Sequence, residues 1–333
     1  MLSRAPGTAL PVEDLQNAEP PLSVSLSRAG VARSPKAIRF RRGNDEHVLL
    51  AEIECSVELG RSQKGAHMSR FEEVINEAID QLLAGPVTTI EGLALLIAVE
   101  IARRQGATRS RVEIRASYPV LRRTPVSDLE SQEMYGILAI ASAGPAGSRA
   151  VIGATAQGMN ACPCAQGLLR DQAAAALSED GFTTEEVERV LALVPVATHN
   201  QRARGTLVIG STGAPGQVDP DLLITIIEES MSSEIYELMK RTDERYVVDR
   251  AHRRPRFVED SVREMLSGVL DQLPDLPDSA FVSATQVNFE TIHTHDVEAA
   301  RTATMGDLRA ELAGAVESTP DVTLDAWLVA GSG

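Results

Sequence analysis

The chain has 333 residues, 43% hydrophobic and 24% charged, which makes it globular and long enough for one large domain or two ordinary ones. A net charge of -15 sets aside a phosphate backbone as the bulk partner, and an aromatic share of 3% argues against stacking platforms for single-stranded nucleic acid. Three cysteines, two of them one residue apart at Cys162 and Cys164, suggest no disulfide framework.

The first stretch, MLSRAPGTALPVEDLQNAEPP, has no continuous apolar core, and no apolar run approaches the roughly 18 residues of a membrane span. The expectation is a cytoplasmic protein with reduced thiols, whose residues 1–45 form a leader and a loosely ordered, partly disordered arm. From His47 to Leu59 the sequence alternates like a strand. A basic connection, GRSQKGAHMSRF, leads to a helical spacing at Phe71, Val74, Ile75, Ala78, Ile79 and Leu82, with Ser69 as its expected N-cap. TTIEGLALLIAVEIARRQG predicts a second helix, capped by Thr88 or Thr89 and closed by Gly106. Strands are predicted at RSRVEIRASYPV, MYGILAIASAG and RAVIGATAQG.

Beyond the cysteines the order partly recurs. Thr183 to Leu193 is helical, His199 to Ser211 is a strand, and Asp219 to Lys240 is expected as one long helix with Pro220 in its first turn. Phe257 to Leu273 is a further helix stopped by Pro274, and SAFVSATQVNFET is a strand. Two copies of a strand, helix pair and strand predict an α+β fold, with helices on one face of antiparallel sheets. The expected divisions are 46–161 for the first module and 162–333 for the second, the latter with a helical insertion at 166–196 and a C-terminal tail.

In a reducing compartment a Cys-x-Cys pair points to a metal, a reactive thiolate or packing. His199 opens a strand where its imidazole can meet Cys162, or it is an ordinary hydrogen-bonded strand histidine. His293 and His295 in TIHTHD face one side of an extended segment, which suits proton transfer or ligation; a polar turn is the alternative. Glu228 and Glu229 are solvated unless one faces the sheet.

The motifs GAHMSRF, ACPCAQ, THNQR, MKRTDERYVVDRAHRRPRFVEDSVRE and NFETIHTHD, in this order, resemble GTP cyclohydrolase I of the prokaryotic type IB family. DLQNAEPPLSVSLSRAGV resembles the N-terminal arm of that family, so the likeness covers roughly residues 13 to 298. The resemblance implies the tunnelling fold, with tandem β-α-α-β modules assembled as a homotetramer whose sites lie at subunit interfaces. It implies one divalent metal per subunit, with Fe(II) favoured and Mn(II) or Zn(II) as alternatives, held by Cys162, His199 and Glu229. It also implies Glu244 beneath the guanine, Cys164, His293 and His295 in catalysis, and His67, Arg70 and Arg202 in binding GTP. Formate would leave guanine C8, and a 7,8-dihydroneopterin product would serve pterin or folate-type cofactor biosynthesis. Thr242 stands where the family commonly has Pro, and Ala165 where the bacterial form usually has Ser. With the insertion before THNQR, the latter favours the archaeal-type branch and its cyclic phosphate over the triphosphate. Another tunnelling-fold purine or pterin enzyme, or a non-catalytic purine-binding protein, is the alternative reading.

Overall fold

The computed structural model describes residues 15–42, 45–84, 89–211 and 215–330. In chain order the elements are β1 (Leu26–Arg42), β2 (Asp45–Leu59), α1 (Met68–Ala84), α2 (Ile90–Gln105), β3 (Ser110–Arg123), β4 (Glu130–Gly144) and β5 (Gly147–Ala161). Then come α3 (Pro163–Glu179), α4 (Thr184–Leu193), β6 (Asn200–Ser211), α5 (Pro220–Ser230), β7 (Ser233–Glu234) and α6 (Arg241–Arg253). The chain continues through α7 (Val258–Gln272), β8 (Phe281–Phe289), β9 (Val297–Thr304), α8 (Met305–Leu312) and α9 (Leu324–Val329). Strands run β1-β2-β3-β4-β5-β6-β8-β9 across one antiparallel sheet, with β7 paired to β5. This is the α+β arrangement expected, and a pattern of strand pair, helix pair and strand pair occurs twice.

Alternation along the strands sends one set of side chains beneath α1, α2, α5 and α7, where Ile53, Phe71, Leu93, Ile114, Leu207 and Ile227 form the main core. The opposite face carries a smaller cluster of Ile140, Val151, Val208, Phe281, Trp327 and Leu328 beneath α9. Gly210 makes that docking possible, because a Cβ there would meet the Trp327 ring at 2.7 Å. Gly106 closes α2 in the left-handed region at φ 62, and Thr89, not Thr88, accepts the cap bond from Gly92 N–H. Among the described residues no helix is long and apolar enough to cross a membrane.

Four expectations are corrected. The arm at 26–42 is a strand: β1 pairs with β2 along its length, and its pattern is obscured by register shifts between Leu26 and Ala29 and between Val31 and Ser34. Residues 1–14 lie outside those described. Ser69 lies inside α1, and the backbone before that helix is held instead by Gln105, which accepts from His67 N–H at 3.1 Å and donates to His67 O at 2.8 Å. The module boundary at 161/162 cuts a paired hairpin, since β5 pairs with β6 from Ala150 to Ala161; the repeat divides at the tight turn before Gly147.

The helix expected over 219–240 ends at Ser230. Met231 is extended (φ -90, ψ 170). Buried Asn160 then captures the chain, its Oδ1 accepting from Ser232 N–H at 2.9 Å while Ser232 Oγ accepts from Ala161 N–H at 3.1 Å. Buried tertiary hydrogen bonds outweigh helix propensity here.

Candidate active site

The β5–β6 ladder runs to Ala161 opposite Asn200 and gains one more rung, from Cys162 N–H to His199 O at 3.1 Å. Opposed residues of an antiparallel pair project to the same face, so the thiol and the imidazole leave the sheet end together. Cys162 also begins α3: Pro163 follows it, and Sγ accepts from Ala165 N–H at 3.5 Å. A clasp fixes this junction. Thr198 Oγ1 donates to Cys162 O at 3.1 Å, and Gln166 Nε2 donates to Val196 O at 2.7 Å and to His252 O at 2.6 Å.

His199 is largely buried, and its Nδ1 lies 4.0 Å from Glu290 Oε2 just past the end of β8. Among the described residues both atoms are buried without a hydrogen-bond partner. The other Glu290 oxygen accepts from Gln201 Nε2 at 3.1 Å. Cys162, His199 and Glu290 thus stand at three neighbouring strand ends, and their residue types suit zinc or ferrous iron. Among the described residues no three His, Cys, Asp or Glu side chains converge closely enough to hold a metal ion.

Beside this cluster the sheet splits. The β4–β5 ladder stops at Gly136 opposite Thr155, and β7 takes over the freed edge of β5 at Gly158 and Met159. The opening is a cleft of about 520 Å³, walled by Tyr135, Gly158, Arg202, Glu228 and Tyr236 among others. Glu228 is the α5 carboxylate that turns inward, accepting from Tyr135 Oη at 2.6 Å and Arg122 Nη2 at 3.0 Å. Burial pushes its carboxyl above the ordinary carboxylate range; the Tyr135 hydrogen bond and the Arg122 charge oppose this in part, and like charge from Glu234 and Glu133 adds to it. Burial, then Glu228, also raises the Tyr135 phenol.

The remaining expected residues are dispersed. Glu229 is exposed, and its main-chain oxygen accepts from Arg254. The chain that follows it, Ser230 to Ser232, is tied to Asn160 and Ala161 just before Cys162, so Glu229 stands at the end of α5 nearest that junction. Cys164 is exposed in the first turn of α3. His293 and His295 lie in an exposed turn after β8, their rings stacked at 5.2 Å and 16°. Glu244 is exposed in the first turn of α6. Its neighbour Asp243 is buried and accepts from Val126 N–H, Ser127 N–H, Ser127 Oγ and Lys240 N–H, so that part of the RTDE motif anchors the β3–β4 connection. Arg202 borders the cleft.

His67 and Arg70 lie at the other end of the sheet. Val57 is level with Ser110, Ala143 and Ser148 across the ladders, so the chain leaving β2 toward α1 emerges where β5 begins, and Cys162 follows where β5 ends. At ~3.3 Å per residue the 15-residue β5 puts roughly 45 Å between these ends. Arg70 Nη1 donates to Arg104 O at 3.0 Å. Sequence reasoning misses Glu290, Gln201, Tyr135 and Arg122; Glu290 sits within NFETIHTHD, and its place directly after an alternating strand is the one signal in the sequence that marks it.

Residues 12–299 match the family model described as type I GTP cyclohydrolase folE2. The chain is 41% identical over 307 residues to GTP cyclohydrolase MptA of Methanococcus maripaludis strain C7, covering 90% of this chain and 97% of that protein. It is 42% identical over 308 residues to GTP cyclohydrolase MptA of Methanococcoides burtonii, covering 90% and 96%. Among solved structures it is similar to uricase from Arthrobacter globiformis, with a TM-score of 0.49 and 9% identity over 83% of this chain and 93% of that one.

Proposed function

This chain belongs to the type I GTP cyclohydrolase folE2 family, and from that premise we propose a metal-dependent enzyme that opens guanine at C8, releases formate and leaves a dihydroneopterin cyclic phosphate. The observation that carries this reading is the rung setting Cys162 opposite His199, with His199 Nδ1 and Glu290 Oε2 buried and unsatisfied beside it. Cys162 and His199 would hold the divalent metal, with Fe(II) favoured. Glu229 is the third holder that the family resemblance names, and Glu290 lies beside His199 at 4.0 Å. The metal, when bound, supplies Lewis-acid activation of the hydrolytic step.

The chain's own residues do the rest. Arg202 at the cleft mouth attracts the triphosphate. Glu228, a carboxylate that burial inclines to keep its proton, can exchange it at Oε1 through the Tyr135 hydroxyl. His293, His295 and Cys164 stand at the exposed rim for later proton and thiol chemistry. His67 and Arg70, at the far end of the sheet, reach this site only from another copy, which supports a homotetramer with interfacial sites. In such an assembly Glu244 can accept from guanine N–H groups of a nucleotide held between copies. The identity of 41% and 42% to proteins of methanogens and the α3–α4 insertion support the archaeal-type branch, whose product the resemblance gives as the cyclic phosphate.

The test is an anaerobic assay of formate release from GTP with Fe(II), Mn(II) or Zn(II), followed by mass spectrometry of the product. No formate with any metal overturns the activity. Formate with an intact triphosphate overturns the product assignment alone.

A further inference from the structure

Helix α3 runs for 17 residues and, among the described residues, has no buried side chain, and α4 buries Val187 alone. The two helices form a hairpin whose base is tied together by Arg170 Nη1 donating to Leu191 O at 3.0 Å. Near that base Leu168 (69%), Leu169 (44%), Leu193 (65%) and Val194 (58%) remain exposed. So much apolar surface at one spot of a solvated hairpin marks a contact surface. Between residues 163 and 197 the hairpin also carries six acidic side chains, Asp171, Glu179, Asp180, Glu185, Glu186 and Glu188, against Arg170 and Arg189.

We propose that this hairpin is a clasp between subunits, seated on residues 60–70 of a second copy of the chain. That segment has the complementary character: Arg61, Lys64 and Arg70 with no Asp or Glu, and Met68 exposed at 49%. The placement is equally specific. The hairpin springs from Cys162 and returns at His199, so its apolar base adjoins the site, while His67 and Arg70 sit about a full sheet length away in the same chain. The proposal rests on the reading that His67 and Arg70 reach the site from another copy. A clasp gripping 60–70 holds those two side chains at the cleft, and opposite charge steers the approach.

Photocross-linking tests it directly. p-Benzoylphenylalanine placed at Leu168, in an assembly mixed from light and heavy-isotope chains, is expected to yield light-to-heavy adducts mapped to residues 60–70. Adducts within one chain, to any other region, or none between chains overturn the clasp. The double variant Leu168→Glu with Leu193→Glu changes exposed positions and leaves folding intact by far-ultraviolet circular dichroism. Its assembly is expected to dissociate at a protein concentration at least tenfold higher in light scattering on dilution; an unchanged dissociation concentration also overturns the clasp. Neither readout depends on turnover: adducts to 60–70 without formate release reject the proposed function, and formate release without those adducts rejects the clasp.

Discussion

Replacing Glu228 with Gln tests whether this carboxylate is kept for function or for stability. In the native protein Glu228 is buried, hydrogen-bonded to Tyr135 and paired with Arg122 at 3.0 Å, the two side chains 15% and 29% exposed. The pair is unequal. Arg122 stays charged more firmly because of Glu228, whereas burial and the charges of Glu234 and Glu133 cost Glu228 more than Arg122 and Tyr135 return. Gln keeps an acceptor for Tyr135 but loses a charged hydrogen bond to Arg122, worth about 1.5–3 kcal/mol. It also removes a carboxylate whose desolvation costs several kcal/mol. The two nearly cancel, so Glu228→Gln should change stability by no more than about 1 kcal/mol at pH 8 while turnover collapses. The pH dependence has a definite sign. A carboxyl raised in the folded state leaves that state holding more protons than the unfolded chain, so stability contributed by Glu228 is present at low pH. It is lost as pH rises from the ordinary glutamate value, about 4.3, through the raised folded value. Urea denaturation of both proteins from pH 5 to pH 8.5 should show wild type approaching or falling below the variant as pH increases. If the variant instead loses more than about 3 kcal/mol at pH 8 and recovers at pH 5, Glu228 is a stabilising ion-pair partner and the reasoning fails.

Cys162→Ala and His199→Ala should each lose most bound metal and nearly all turnover while far-ultraviolet circular dichroism stays native; normal metal stoichiometry by elemental analysis in both would dismiss them as ligands. Glu244→Gln should keep its metal but lose GTP affinity, because an acceptor becomes a donor facing guanine N–H groups; unchanged binding by calorimetry moves the base anchor elsewhere. Trp327 is the sole tryptophan, with its indole donating to Ser279 O at 2.9 Å within a small cluster near the C-terminus. Its emission should therefore shift at lower denaturant than the loss of circular dichroism, whereas coincident curves would make α9 part of the global folding unit.

Much of the framework is legible wherever one physical signal dominates. Strand β3 and the first parts of β4 and β6 alternate, and α2 carries its own stop in Gly106. Strand β1 is not legible, because an edge strand with Pro35 and two register shifts loses the period of two. Nor is the break after Ser230: Asn160, seventy residues earlier, makes it, and no window around Met231 contains that information. The inward turn of Glu228 is hidden for the same reason, since it depends on how α5 is rotated over β5 and β6. The residues alone leave the pairing of Cys162 with His199 open and the resemblance implies it, but it follows physically only once the β5–β6 register is known.

The rung between Cys162 N–H and His199 O has one further consequence, for what the chain tolerates. Everything from residue 163 to 198 is an excursion whose two ends are already at hydrogen-bond distance. Joining the ends of a longer excursion adds little entropic cost, only about 0.6 kcal/mol for each doubling of length. Its tip at Gly181, with φ 95 and open space around the α-carbon, is a natural port for foreign sequence. A whole reporter domain can be threaded there while the thiol and the imidazole keep their separation, because the ladder sets that distance and the length of the chain between them does not.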